Sequence, residues 1–317
     1  MSARSNDAET QRLPLAGVEL GGTKCIVTLA YGPDAVLDQR TVPTTTPDET
    51  LPAIAGILQE WQLAGGFRAL GIGSFGPLEL NPASPRHGQI LNTNKSGWPG
   101  TDVLHRLSAP FDVPTGFDTD VNGAALAEIR WGCARGLDDF AYVTVGTGIG
   151  VGLIVHGRPT RGIGHSEIGH LRVPRVPGDR HRSVCDFHAD CVEGLASGTA
   201  LIARLEGREV KDVAPGDPVW TPMVDALAVM CHALVSTTGP HRIAIGGGVV
   251  SGQSHLLPRI EAVLVDSLNG YLNLPNPSDY IVAPLLGASA GPLGSIALAA
   301  DAAETTSDAK VRAHHAE

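Results

Sequence analysis

Phe117-Asp118-Thr119-Asp120-Val121-Asn122 closes an extended run and leads into Gly123-Ala124-Ala125-Leu126-Ala127-Glu128-Ile129, whose spacing predicts a helix. Two acids two positions apart on a strand are expected on the same side of it. Asn122 is a suitable residue to cap the helix that follows. A carboxylate fixed at a strand end, where the chain turns, is well placed to take a proton from a bound hydroxyl. The plainer alternative makes Asp118 and Asp120 turn and cap residues only. Their position favours chemistry, because the stretch lies between two copies of one glycine-rich pattern.

The first copy is Val18-Glu-Leu-Gly21-Gly22-Thr23-Lys24-Cys-Ile-Val-Thr-Leu-Ala-Tyr-Gly32. The second is Val143-Thr-Val-Gly146-Thr147-Gly148-Ile-Gly150-Val-Gly152-Leu-Ile-Val-His-Gly157. Each reads as a β-rich strand, a glycine turn and a second apolar strand. Repetition over this distance predicts a duplicated lobe, one hairpin to each, with the two facing across a cleft. Glycine turns expose backbone N–H groups, and a row of such donors can hold phosphate oxygens. Two ordinary hairpins of an α/β protein are the alternative.

The chain has 317 residues, enough for a large core and for two domains. Lys plus Arg is 23 against 33 for Asp plus Glu, a net charge of −10, which argues against nucleic acid or an anionic membrane as main partner. Five cysteines, odd in number and sparse, fit a reducing compartment without structural disulfides. No apolar run is expected to approach the roughly 20 residues of a membrane span. Residues 1–12 lack a signal-peptide core and read as a loose arm, and residues 305–317 read as a frayed end.

Between these landmarks, residues 48–61 carry helical apolar spacing at Leu51, Ile54, Ile57 and Leu58. Ala69-Leu-Gly-Ile-Gly-Ser74-Phe75-Gly76-Pro77 reads as a buried strand ending in a turn of the kind that lines ligand clefts. The loop 81–100 holds Asn92, Asn94, Lys95 and Trp98, a set that suits a sugar surface with an aromatic wall or, equally, a solvated loop with one packed Trp. Cys185-x2-His188-x2-Cys191 packs three metal-ligand types into seven residues. His170 upstream completes a Cys2His2 set for tetrahedral zinc, with His181 as rival fourth ligand. Residues 194–205 and 222–237 read as helical, with Leu227, Val229, Met230 and Leu234 in the core. Ile243-Ala-Ile-Gly246-Gly247-Gly248 reads as a strand opening into a glycine turn before a helix at Leu256–Leu268, suited to a flat ligand and to phosphate, or simply to packing. A last small, apolar helix is expected at 288–300.

Together these segments resemble the ROK-family sugar kinases, within the two-lobed actin/hexokinase-type ATPase fold (α/β, ribonuclease H-like, duplicated lobes), and most of all their fructokinase branch. The resemblance spans about residues 15–300 and rests on Gly17-Val-Glu19-Leu-Gly-Gly-Thr-Lys24, Asp118-Thr-Asp120-Val-Asn122, Gly146-Thr-Gly-Ile-Gly150, Glu167-Ile-Gly-His170, Cys185…His188…Cys191-Val-Glu193 and Gly246-Gly-Gly248. It implies Asp120 as catalytic base. Gly21, Gly22, Thr23 and Lys24 would form one phosphate loop, Thr147 and Gly148 a second, and Gly247 and Gly248 would lie near adenosine. Gly76, Asn94, Asn122, Glu167, His170 and Glu193 become sugar-binding candidates, and His170, Cys185, His188 and Cys191 the ligands of a structural Zn2+. Glu19, where glucokinases and the family's repressors carry Asp, and the Cys-x2-His-x2-Cys spacing both favour the fructokinase branch. Asn94 departs from the proline common at its position. The repressors' N-terminal helix-turn-helix has no room before Leu13.

The expected organisation is an arm at 1–12, an N-terminal lobe at 13–121 plus about 288–302, a C-terminal lobe at 122–287 with its zinc-binding loop at 165–193, and a flexible tail at 303–317. The expected activity is ATP- and Mg2+-dependent phosphorylation of a hexose, fructose to fructose 6-phosphate by preference. Kinases for glucose, mannose or an N-acetylhexosamine are the rival enzymes, and a non-catalytic sugar sensor the rival from another class. Expected partners are the sugar and ATP, with no nucleic acid and no membrane, in a cytoplasmic homodimer.

Overall fold

The computed structural model describes residues 13–276 and 279–314. The expected arm at 1–12 and the end of the expected tail at 315–317 lie outside the described residues. The described chain divides into two compact units. One holds the described residues of Met1–Arg130, Arg161–His165 and Ser289–Glu317, and the other Trp131–Thr160 with Ser166–Ala288.

In the first unit, β1 (Leu15–Leu20), β2 (Lys24–Ala30), β3 (Val36–Pro43), β4 (Leu70–Ser74) and β5 (Thr115–Thr119) form one sheet in the order β3-β2-β1-β4-β5. β1 pairs antiparallel with β2, Leu15 opposite Ala30 and Leu20 opposite Cys25, and parallel with β4 on its other edge. The all-buried run of β4 fits a parallel strand covered on both faces. α1 (Pro47–Ala64) starts on a proline, carries Asp48 and Glu49 in its first turn, and buries Leu51, Ile54, Leu58 and Trp61 at helical spacing. α2 (Val103–Ser108) is capped by Asp102, whose side chain accepts the His105 N–H. α3 (Asp120–Trp131) follows β5 without a break.

The C-terminal helix, Ala290–His314, packs back onto this sheet. Gly17, Gly71 and Gly116 stand in one row across β1, β4 and β5. A Cβ on them would lie 2.2, 1.9 and 2.4 Å from atoms of Ser295 or Leu298, so only glycine lets the helix approach this closely. The helix expected to end at residue 300 runs on to His314, and residues 303–314 of the expected tail are helical. The expected lobe boundary at residue 121 also differs, because α3 up to Arg130 stays with the first unit, as do Arg161–His165.

The second unit repeats the plan. β6 (Phe140–Val145), β7 (Ile149–Val155), β8 (Arg158–Pro159), β9 (Arg242–Gly246) and β10 (Ile281–Val282) lie in the order β10-β9-β6-β7-β8. β6–β7–β8 is the antiparallel run matching β1–β2–β3, and β9 and β10 are the parallel strands matching β4 and β5. The duplication expected from two glycine turns is thus present strand for strand. The residues expected as one helical stretch at 194–205 form two helices, α4 (Val192–Ala196) and α5 (Gly198–Leu205). Ser197 breaks the run and caps α5, its hydroxyl accepting the Ala200 N–H at 3.2 Å.

α6 (Thr221–Thr237) and α7 (Leu256–Leu268) cover the sheet. Counted from Pro218, the α6 segment is 20 residues long with mean hydropathy 1.4, so one run does reach the length and composition of a membrane span, against expectation. Its apolarity has a core explanation: Met223, Val224, Leu227, Met230, Cys231 and Leu234 are buried in the second unit.

Candidate active site and metal cluster

Asp118 and Asp120 occupy different settings. Asp118 is buried at the end of β5, whereas Asp120 is half-buried as the first residue of α3. The expected shared side of a strand fails because the helix begins between them. Asn122 is not the cap either, since it is the third helical residue. The Thr119 hydroxyl takes the capping position and accepts the Asn122 N–H at 3.1 Å. The Asn122 side chain donates instead to Asp118 Oδ1 at 2.7 Å, which also accepts the Thr119 N–H at 2.7 Å. Asp120 Oδ1 accepts the Val121 N–H at 2.9 Å. Burial pushes the Asp120 carboxyl up to about 6, close to where a general base at neutral pH should titrate.

Glu19 on β1 faces the same region. Burial first, then the Asp120 charge, push its carboxyl up to about 7, opposed by Lys24. The nearby Asp120 charge thus favours the protonated form of Glu19. Beyond Glu19 the chain turns through Gly21, Gly22 and Thr23, with Gly22 and Thr23 exposed. Thr44 braces the turn, its hydroxyl donating to the Gly21 carbonyl at 2.8 Å and its N–H to the Thr23 carbonyl at 3.0 Å. Lys95 Nζ donates to the Gly22 carbonyl at 2.5 Å. A cation from the 81–100 loop therefore stands on the expected phosphate turn.

Gly76 precedes a cis bond to Pro77 and lies beside His165, whose Nε2 accepts the Leu78 N–H at 3.0 Å. Asn92 and Asn94 are exposed. Trp98 is not an exposed aromatic wall. It is 0% exposed, donates from Nε1 to the Thr45 carbonyl at 2.9 Å, and packs edge-on against Phe75.

In the second unit, the turn Gly146-Thr147-Gly148 closes β6 onto β7, with the Gly146 N–H donating to the Gly148 carbonyl at 2.9 Å. The Thr199 hydroxyl donates to the Thr147 carbonyl at 2.9 Å, and the Gly198 N–H to the Gly146 carbonyl at 2.7 Å, so the start of α5 holds this turn. Glu193 Oε2 accepts the Ile149 N–H at 2.9 Å, which places its carboxylate against the same hairpin. The strand and helix expected on either side of the triple glycine are present, as β9 ending at Gly246 and α7 at Leu256–Leu268. Gly247 adopts φ +91° with its Cα against the Val145 backbone, a packing position that a Cβ would fill, while Gly248 borders open space.

His170, Cys185, His188 and Cys191 converge, with their ligand atoms all within 4.8 Å of one another. His170 Nδ1 lies 3.7 Å from Cys185 Sγ and 3.8 Å from Cys191 Sγ, and His188 Nδ1 lies 3.5 Å from Cys185 Sγ. Such spacings suit the edges of a tetrahedron around an ion bound at about 2.0–2.3 Å. His181, the rival fourth residue, is outside the cluster and exposed. Glu167 is exposed just before the short 3-10 turn Ile168–His170 that presents His170.

Sequence reasoning does not single out Arg161 or His165. Both meet partners far away along the chain, Arg161 at Asp118 and His165 at Leu78, and no local pattern marks such pairs. An arginine and a histidine among glycines, Arg161-Gly-Ile-Gly164-His165, is the only hint available.

The profile of the ROK family matches residues 15–302. The chain is 39% identical over 285 residues to a fructokinase of Pediococcus pentosaceus, covering 90% of this chain and 97% of that one. It is 40% identical over 287 residues to a fructokinase of Zymomonas mobilis, covering 89% and 95%. Among solved structures it resembles a ROK hexokinase from Thermus thermophilus, with TM-score 0.74 and 27% identity, covering 90% of this chain and 98% of that one. The chain belongs to the ROK family, with its two-lobed actin-like ATPase fold.

Proposed function

We propose that this chain is an ATP-dependent hexose kinase that phosphorylates fructose to fructose 6-phosphate. The observation that carries the mechanism is Asp120, held at the head of α3 with its carboxyl raised to about 6. Near-complete alignment with two fructokinases at 39% and 40% identity supports fructose as acceptor.

Asp120 accepts the proton of the primary hydroxyl as that oxygen bonds to the γ-phosphorus of ATP, while the bond to the β–γ bridging oxygen breaks and ADP leaves. Phosphoryl transfer asks mainly for positioning and charge neutralisation. Gly21, Gly22, Thr23 and Lys24 of the first unit, and Thr147 and Gly148 of the second, are assigned to the phosphates. Gly248, beside open space, suits the nucleotide better than Gly247, which is filled by packing. A Mg2+ bound with ATP would neutralise phosphate charge beside these turns. Gly76, Asn94, Glu167, His170 and Glu193 are assigned to the sugar, while Asn122, buried with its side chain on Asp118, braces the site from behind.

The Cys2His2 donor set fits zinc, and we assign the ion a structural role on a loop with little core of its own. The reducing cytoplasm suits the five free cysteines. A homodimer is part of the proposal, and light scattering of the purified chain tests it. ADP release measured with fructose, glucose, mannose, N-acetylhexosamines and no sugar tests the function. Fructose should be the best acceptor; sugar binding without ADP release would make the chain a sensor.

A further inference from the structure

Asp118 is a buried acid beside the proposed base that the reaction itself leaves unused. Its side chain is 4% exposed. Oδ1 accepts the Thr119 N–H and the Asn122 side-chain N–H, both at 2.7 Å, and Oδ2 accepts the Arg161 guanidinium. The first two bonds straddle the junction of β5 and α3, the point at which Asp120 is carried. A buried carboxylate there is costly unless a cation and hydrogen bonds satisfy it, and Arg161 is the cation. Arg161 comes from 43 residues further along the chain, on the short segment Arg161–His165 that belongs to the first unit although the residues on either side of it belong to the second. The other end of that segment is fixed as well, by His165 on the Leu78 N–H.

We propose that Arg161 is a positioning residue for Asp120: its guanidinium holds the Asp118 carboxylate, and Asp118 holds the first turn of α3 so that the base keeps one orientation. The inference rests on the assignment of Asp120 as base. Arg161 touches no reacting atom in this scheme. Its contribution falls on turnover, since a misplacement of about 1 Å at a reacting group costs on the order of 10²-fold.

The experiment compares Arg161→Ala, Asp118→Asn, the double variant and Asp120→Asn, in full-length zinc-loaded protein. Arg161→Ala should lower kcat with fructose by about 10- to 100-fold, leaving KM for ATP within about twofold of wild type. Asp118→Asn keeps the acceptor for Thr119 and Asn122 but loses the charge that holds Arg161, so its kcat should fall too. The double variant should be no slower than Arg161→Ala, because both changes break one link. Added guanidinium chloride at non-denaturing concentration should restore part of the Arg161→Ala turnover and none of the Asp118→Asn turnover. Arg161 is 43% exposed, so Asp118→Asn leaves no buried unpaired charge and remains informative should Arg161→Ala fail to fold. Wild-type kcat in both single variants, or losses that multiply in the double, would overturn the role of Arg161. If those variants are normal while Asp120→Asn is nearly inactive, only the positioning role falls; if Asp120→Asn itself keeps wild-type turnover, the base assignment falls and this inference with it.

Discussion

His170 Nε2 lies 4.0 Å from Glu193 Oε1, while Nδ1 of the same ring faces the Cys185 and Cys191 thiols. One imidazole therefore joins the Cys/His cluster to a carboxylate proposed for the sugar. Metal analysis of purified protein is expected to find one zinc per chain. Cys185→Ser is expected to lower that content, lower the melting temperature, and raise KM for fructose more than KM for ATP, because it frees the His170 ring. Stoichiometric zinc loss with an unchanged KM for fructose would separate the cluster from the sugar site.

The pH profile follows from Asp120. The carboxyl titrates near 6, raised by burial, so the base is ionised above that pH and protonated below it. The rate with fructose at limiting substrate is expected to fall as pH drops through about 6. The sign for stability is opposite to that of a salt-bridged acid. With a folded value raised above the ordinary 3.8, the folded chain holds a proton that the unfolded chain releases. The favourable contribution is complete below about pH 4 and is lost as pH rises through about 6. Asp120→Asn should thus gain melting temperature over wild type at pH 7.5 and show little difference at pH 4, read by thermal denaturation at both.

Trp98 tests the loop directly. As a fully buried ring bonded to the Thr45 carbonyl, it contributes to the core and not to a sugar wall. Trp98→Phe is expected to cost about 1–3 kcal/mol of stability, from the lost hydrogen bond and the space left behind. KM for fructose should stay within about twofold. A raised KM with unchanged stability would restore the ring to the sugar site.

Gly71 tests the packing of the C-terminal helix. A Cβ there would lie 1.9 Å from the Ser295 carbonyl oxygen and 2.5 Å from the Ala299 nitrogen, both backbone atoms that cannot step aside. Gly71→Ala is expected to destabilise by about 1–3 kcal/mol or more, measured by denaturant unfolding. A neutral substitution would mean that the helix stands further off.

Much of the fold was legible because its signals are local and repeated. Val18–Gly32 and Val143–Gly157 show one hairpin twice, and the sheets built on them share one strand order. The Cys/His cluster was legible from the Cys185-His188-Cys191 spacing, but choosing His170 over His181 needed three-dimensional proximity. The helix start is ambiguous in sequence because Asn122 and Thr119 are both good caps, and the buried Asp118 draws Asn122 inward. The C-terminal helix runs past residue 300 unannounced in sequence because its later turns are polar and lack an apolar stripe. Arg161 stayed hidden because its value lies in one ion pair formed across 43 residues.

The most direct measurement is fructose-dependent ADP release by Asp120→Asn beside wild type, at pH 7.5, with zinc content determined in both. A kinase that uses this carboxylate as its base should lose about 10²- to 10⁴-fold in kcat while keeping its zinc and its fold. Wild-type turnover by a folded, zinc-loaded Asp120→Asn protein would contradict it.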